Sequence, residues 1–303
     1  MSNFVEIKKV YARTLDPVHI GEGGYRLGRV DNTIVRDPAT DVPKIPGTSM
    51  AGVTKEFYII YLMETDKSCK NSRDNAEEEV KSYFGDEQKQ GMIRFYDGQI
   101  IFFPVSSSQG TVWITTRELL EYWFEDNEEI KIILNNIKDD NVKDSACAIK
   151  GIESDGLLNL GWILLEVRKD LIGSDVTLPD VDNWVKKVVV VSDKLFSHIV
   201  NDNLEIRTSV RIDPETGTAE EGALFTYEAI PRGTVLGFEI GIDKRKNVKK
   251  DVKNLEEIIS IIDHVSPYFK LLGIGGMGTR GFGRIELKIS EVDSKSKGEK
   301  ADA

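Results

Sequence analysis

The amino-acid sequence predicts an α+β protein with a ferredoxin-like βαββαβ core that carries insertions. Three observations lead there. Segments with strand-like alternation and segments with helical spacing succeed one another as strand, helix, strands, helix, glycine-rich loop and strand. Residues 206–242 have hairpin grammar, with long alternating runs parted by turn residues. No internal repeat or autonomous second core interrupts the 303 residues, so one domain is expected over 1–290, followed by a charged, disordered tail at 291–303.

Each element has its own signal. Residues 4–15 alternate around Val5, Ile7 and Val10, and Asp16-Pro17 ends this first strand. Residues 30–35 read as a short extended piece, with turns at Asp37-Pro38 and Asp41-Val42-Pro43. After Pro46-Gly47, Thr48 and Ser49 supply N-cap side chains for a helix carrying Val53, Phe57, Ile60 and Tyr61 on one face and ending near Asp66. Residues 67–89 are polar without a sustained period and read as a partly helical insertion. Strands are predicted at 93–96, 99–105 and 111–115, a helix at 117–137, a loop at 139–158 and a strand at 162–167. Residues 181–200 are ambiguous, since Val188 to Val191 favours a strand and Leu195 to Val200 a helix. In the hairpin segment, turns at Pro214-Glu215-Thr216-Gly217 and Pro231-Arg232-Gly233 separate three runs, and long paired strands there would leave the core as an arm. An amphipathic helix over 255–272, interrupted or kinked near Pro267, leads into a glycine loop at 273–283 and a last strand at 284–289.

Composition limits the function classes. No apolar run approaches the roughly 20 residues of a bilayer span, so a soluble, cytoplasmic protein without membrane partners is expected. Cys69 and Cys147 are far apart in polar surroundings and read as free thiols rather than a disulfide or zinc framework. A net charge of −11 argues against a generic nucleic-acid binder. The distribution softens that objection. Residues 19–55 hold five basic and four acidic side chains, and residues 271–284 hold two arginines and no acid, which is the pattern of one neutral-to-basic groove on an acidic exterior.

Two backbone motifs suit phosphate. The loop from Gly273 to Gly283 has six glycines in eleven residues, among them Gly275, Gly276, Gly278 and Gly281, and Arg280 and Arg284 accompany them. Such a loop lets N–H groups approach a phosphate, but it is neither a Walker loop nor a Rossmann fingerprint. The stretch at Gly47, Thr48 and Ser49 should open a helix whose positive end also suits an anion, with Lys44 and Lys55 beside it. Taken alone, His19 and Asp31 favour structural readings, as a lone histidine and a salt-bridge partner of Arg29. Glu220, Glu221 and Glu228 read as a solvated hairpin edge, and Asp97, His198 and His264 as structural residues.

The blocks HIGEG, VDNTIVRDPATDVPKIPGTSMAG, IRFYDGQIIFFPVSSSQGTVWIT, IDPETGTAEEGALFTYEAIP and GIGGMGTRGFGRI, in that order, resemble the RAMP superfamily of CRISPR proteins. The third block is most similar to the backbone subunit of type III-B, or Cmr, effector complexes; the type III-A, or Csm, backbone subunit shares the first block and the glycine loop. The resemblance implies an RRM-like palm with a β-hairpin thumb within residues 206–242. It implies CRISPR RNA, complementary target RNA, other effector subunits and further copies of the chain in a filament as partners. The family's catalytic aspartate corresponds to Asp31, an implicated histidine to His19, and the hairpin region that closes the site to Tyr227 or Glu228. The guide-contacting PGSS-x-K-G motif corresponds to Pro46 through Gly52, with Ala51 in place of the usual lysine and Lys55 as a substitute contact; Thr40-Asp41 replaces a Thr-Gly pair.

On that resemblance, RNA-binding residues are expected at Arg29, Arg36, Lys44, Gly47, Thr48, Ser49, Lys55, Gly275, Gly276, Gly278, Arg280, Gly281 and Arg284. The implied activity is endoribonuclease cleavage through the 2′-hydroxyl, leaving a 2′,3′-cyclic phosphate. Asp31 would bind a divalent metal (Mg or Mn) or accept the 2′-OH proton, and His19 or Arg29 would stabilise the phosphorane. A non-catalytic guide scaffold with the same groove is the alternative. A nucleotide-ligand enzyme lacks a Walker or Rossmann context.

Overall fold

The computed structural model describes residues 5–23, 30–138, 142–153, 156–169, 175–213, 215–246 and 255–291. Residues 292–303 of the tail expected at 291–303, Arg29, and the side chains of Glu220 and Glu221 lie outside the described residues. In chain order the elements are β1 (Val5–Thr14), β2 (Lys44–Ile45), α1 (Gly47–Thr65), α2 (Arg73–Phe84), β3 (Ile93–Phe95), β4 (Gly98–Ser107) and β5 (Gly110–Thr116). Next come α3 (Arg117–Trp123), α4 (Glu128–Asn136), β6 (Ser145–Lys150), β7 (Gly156–Leu160), β8 (Ile163–Arg168), β9 (Val188–Val191) and α5 (Asp193–Asp202). The chain continues through β10 (Glu205–Ile212), β11 (Ala219–Ala229), β12 (Val235–Asp243), α6 (Leu255–Leu271) and β13 (Ile285–Ile289).

One mixed, 11-stranded sheet organises the molecule in the order β13-β1-β12-β4-β5-β9-β6-β8-β7, with β2 on β4 and β3 on β12. Its β5–β9 and β6–β8 pairs are parallel and the rest antiparallel. Both faces are covered. On one, Val10, Ile100, Phe103 and Phe238 pack with Met50 and Phe57 of α1 and with Ile258, Val265 and Phe269 of α6. On the other, Tyr11, Ile101, Phe102 and Val188 pack with Trp123 of α3 and Ile130 and Ile133 of α4. A strand buried on both faces needs apolar side chains at consecutive positions, which is why β4 reads Ile-Ile-Phe-Phe rather than alternating. Gly237 of β12 belongs to the same constraint: a Cβ there would stand 2.5 Å from Ile101 Cδ1 and 2.7 Å from the Trp123 ring.

Several expectations are corrected. Residues 139–158, read as a loop, contain β6 and the start of β7; the centre of β6, Ala146-Cys147-Ala148-Ile149, is buried, and its small side chains hide it from a propensity reading. The helix expected over 117–137 is two helices, because Asn127 accepts from Ile130 N and starts α4 afresh after a break at Phe124. Pro46, not Thr48 or Ser49, is the N-cap of α1, which ends at Thr65 as expected. Residues 67–89 hold α2, whose Ala76 and Val80 pack on Ile59 and Leu62 of α1 together with Cys69. Cys69 and Cys147 are free but buried, since their spatial neighbours are not their polar chain neighbours. Helical structure continues through Pro267.

The hairpin segment divides. β10 and β11 form a separate two-stranded sheet, whereas β12 enters the main sheet between β1 and β4. Among the described residues no helix is long and apolar enough to cross a membrane.

Phe102 and Phe103 face opposite layers of the sheet. Phe102→Ala and Phe103→Ala should each destabilise the protein by about 3–5 kcal/mol, read from the midpoint of urea unfolding.

Candidate functional site

The site is assembled on β11. One edge of this strand pairs with β10; its other edge receives two segments from the region between β1 and α1. Val18 and Ile230 exchange backbone hydrogen bonds at 2.9 Å each way, Asn32 N donates to Thr226 O at 3.0 Å, and Glu228 N donates to Asn32 O at 3.0 Å. The two segments also pair with each other, Val35 N donating to Ile20 O at 2.9 Å and Glu22 N to Thr33 O at 3.2 Å. Residues 18–20 and 31–35 are thereby laid beside the root of the β10–β11 arm.

Asp31 is solvent-exposed but not loose. Its Oδ2 accepts both the Thr226 N–H and the Thr226 hydroxyl at 2.8 Å, and its own N–H donates to Thr226 Oγ1 at 2.9 Å. The backbone donor first, then the hydroxyl, holds the Asp31 carboxyl below the usual aspartate range, so it is ionised at neutral pH.

His19, in the other segment, is buried against β11. Its Nδ1 stands 2.7 Å from the Glu228 carbonyl oxygen, which only accepts, so Nδ1 is the donor in this contact. Tyr227 packs edge-on against the imidazole at 5.7 Å. From the far end of the chain, Gly276 N donates to His19 O at 2.9 Å. Gly275 has φ +84° and a Cβ there would fall 2.4 Å from the same oxygen, so both conformation and contact require glycine. His19, Tyr227 and the Gly275-Gly276 turn are therefore brought together, and Asp31 is held on the same strand, β11, by Thr226, two residues before Glu228.

Glu228 and Arg36 are placed differently from expectation. The Glu228 carboxylate is buried, not a solvated edge, and takes a bidentate pair from Arg36 Nη1 and Nη2 at 2.8 Å each, plus Ile34 N at 3.2 Å. Arg36 Nε donates to Asn201 of α5 at 3.2 Å, and Nη1 also reaches Ile34 O at 3.2 Å. Glu228 is the largest cause of the raised Arg36 pKa. The two side chains, expected in catalysis and on RNA respectively, pair with each other and fasten the 31–36 segment to the arm and to α5.

At the α1 end, Gly47 N donates to Asp97 Oδ1 at 2.8 Å while Lys44 Nζ donates to Asp97 Oδ2 at 2.7 Å. Lys44 first, then the Gly47 N–H, lowers the Asp97 pKa. A carboxylate of the chain already answers this helix end, a role not legible from Asp97 in sequence. Thr48 is exposed, and Ser49 and Lys55 are half-buried, on the first turns of α1.

The glycine turn faces the arm. Gly278, Arg280 and Gly281 are exposed on a short 3₁₀ turn, and Arg280 Nη1 donates to Ser209 Oγ of β10 at 3.3 Å. Arg207 of β10 lies over the Phe282 ring at 4.8 Å. Arg284 is paired with Asp16, whose pKa is lowered by Arg284 first and further by Arg232 and Arg207. Sequence reasoning missed Arg207 and Thr226; both follow from strand periodicity, because Thr226 shares a face with Glu228, and Arg207 pairs with Tyr227 in register. Among the described residues no three metal-ligating side chains cluster.

Fold and site together define a protein in which a large mixed sheet is accompanied by a separate two-stranded arm in contact with an arginine-bearing glycine turn, with an ionised aspartate and a histidine held against the arm's strand β11. The chain belongs to the RAMP superfamily, whose family model matches residues 11–286. It is 28% identical over 295 residues to the CRISPR system Cmr endoribonuclease Cmr4 of Pyrococcus furiosus, covering 92% of this chain and 94% of that one. Its fold is similar to that of a chain of the type III-B Cmr-beta bound to cognate target RNA (TM-score 0.67, 17% identity, 95% of this chain and 98% of that one). It is likewise similar to oligomeric Cmr4 from Pyrococcus furiosus (TM-score 0.61, 22% identity, 94% and 98% of the two chains).

Removing only one member of the buried pair leaves a charge without its counterion. Glu228→Ala should cost about 3–5 kcal/mol in thermal or urea unfolding, and Arg36→Met combined with Glu228→Leu should recover most of it.

Proposed function

We propose that this chain is the backbone subunit of a type III-B CRISPR ribonucleoprotein in the cytoplasm, binding CRISPR RNA and cleaving complementary target RNA at regular intervals. The observation that carries the reading is the coupling of Asp31 to the root of the arm, with His19 and the glycine turn packed against the same strand. The strand order β13-β1-β12-β4, with α1 and α6 as the two helical connections, supports a ferredoxin-like palm over a single domain, and β10–β11 is its thumb. Arg207, Arg280 and the exposed N–H groups of the glycine turn are the groups offered to RNA phosphates. Leu157, Trp162 and Leu164, exposed on the outer side of β7–β8, add apolar surface for neighbouring subunits or further copies.

In the proposed step the 2′-oxygen of a target nucleotide attacks the adjacent phosphorus, the bond to the 5′-oxygen breaks, and a 2′,3′-cyclic phosphate and a 5′-hydroxyl result. Asp31, ionised and held by Thr226, accepts the 2′-OH through Oδ1 and orients it. Its depressed pKa makes it a poor final proton acceptor, so the proton passes to His19 Nε2 and the 5′-oxygen takes one from solvent. Arg280 and Arg207 offset charge on the phosphorane.

The divalent cation expected on Asp31 finds few ligands. Oδ2 is filled by Thr226, and the Glu228 carboxylate is filled by Arg36 and Ile34 N. A hard cation held by a protein needs several oxygen ligands, and these residues do not fit a resident site, so no step is assigned to one.

Asp31→Ala should abolish cleavage in a reconstituted complex while guide and target affinity stay within about threefold, because an aspartate adds no attraction for a polyanion. Retained cutting would favour the scaffold reading instead, and lost binding would remove Asp31 from chemistry. Calorimetric titration of Mn²⁺ into the RNA-free protein should show no saturable site tighter than about 0.1 mM; a tighter site that disappears in Asp31→Ala would restore the metal assignment.

A further inference from the structure

We infer that Thr226 is a positioning residue for RNA cleavage: its amide and hydroxyl hold the Asp31 carboxylate in one orientation, with Oδ2 occupied and Oδ1 left for the RNA. The inference rests on Asp31 being the cutting residue. Every polar atom of Thr226 is directed at the Asp31-Asn32 pair. Thr226 N and Oγ1 each reach Asp31 Oδ2 at 2.8 Å, Asp31 N reaches Thr226 Oγ1 at 2.9 Å, and Asn32 N reaches Thr226 O at 3.0 Å. A hydroxyl has one proton and two lone pairs. Donating that proton to Oδ2 leaves a lone pair for the Asp31 N–H, so the contacts close into rings in which each donor hydrogen is used once.

An exposed aspartate without such partners exchanges among rotamers, and a reacting group displaced by about 1 Å can lose on the order of a hundredfold in rate. Threonine also has a χ1 stiffened by its β-branch, which keeps the hydroxyl on the Asp31 side of β11. Because Thr226 belongs to the arm and Asp31 to the loop after β1, these bonds transmit the position of the arm to the reacting carboxylate. An RNA duplex that seats the arm would seat Asp31 with it.

The test uses the complete reconstituted complex with CRISPR RNA, measuring target affinity and the single-turnover cleavage rate at saturating complex. Thr226→Val keeps the shape but loses both side-chain hydrogen bonds; Thr226→Ser keeps the hydroxyl. Thr208→Val changes the cross-strand neighbour on β10, which makes no hydrogen bond to Asp31. The expected result is a fall of roughly 10- to 100-fold in the saturated rate for Thr226→Val, with Thr226→Ser and Thr208→Val within about threefold of the unmodified protein and target affinity unchanged throughout. Cutting by Thr226→Val at the unmodified rate, or a parallel loss of target affinity, overturns the inference while leaving Asp31 in its role. A loss in Thr208→Val equal to that in Thr226→Val also overturns it, since the hairpin as a whole would then be responsible. Absence of cleavage by the unmodified complex removes the cutting role of Asp31 and this inference with it.

Discussion

The site depends on the second edge of β11. A two-stranded arm has a free edge on each side, and an unpaired edge leaves backbone donors and acceptors without partners. Here one edge of β11 is filled by the loop after β1, through Val18 to Ile230 and Asn32 to Thr226 and Glu228. Satisfying that edge carries Asp31 and His19 to the root of the arm. The Arg36–Glu228 pair then prevents the loop from peeling away, since separation would strand two charges in a poorly solvated place.

Electrostatics and fold serve one another around this point. The chain is acidic overall, yet Arg284 pairs with Asp16, Arg207 pairs with Glu205 on the arm, and Arg280 reaches the arm from the glycine turn. Acidic side chains elsewhere are spent on local pairs, as Glu56 and Glu77 are on Arg73. A polyanion approaching the glycine turn therefore meets Arg280 beside arginines already paired with carboxylates, which makes the placement of a few arginines more important than the net count.

Much of the fold is legible because the main strands carry their own pattern. β1, β3, β4, β5, β8, β12 and β13 stand where alternating or continuous apolar runs predict strands, and α1 and α6 where helical spacing predicts helices. β6 is not legible, since Ala-Cys-Ala-Ile becomes a strand only through its neighbours β8 and β9. The site is half legible in the same sense. The glycine turn can be read because φ > 0 and close approach at Gly275 demand glycine itself, whereas Arg36 and Glu228, 192 residues apart, look like any exposed ions until the pairing is seen.

By itself the sequence determined the strand and helix runs, the glycine turn, and the family through blocks whose order survives substitution. Only the tertiary structure decided which charges are spent on each other, that Asp97 covers the start of α1, and that Thr226 holds Asp31. The physical reason is range. Periodicity and backbone conformation are set by residues within one or two turns, while a hydrogen bond from residue 31 to residue 226 exists only after the sheet has brought the two segments together.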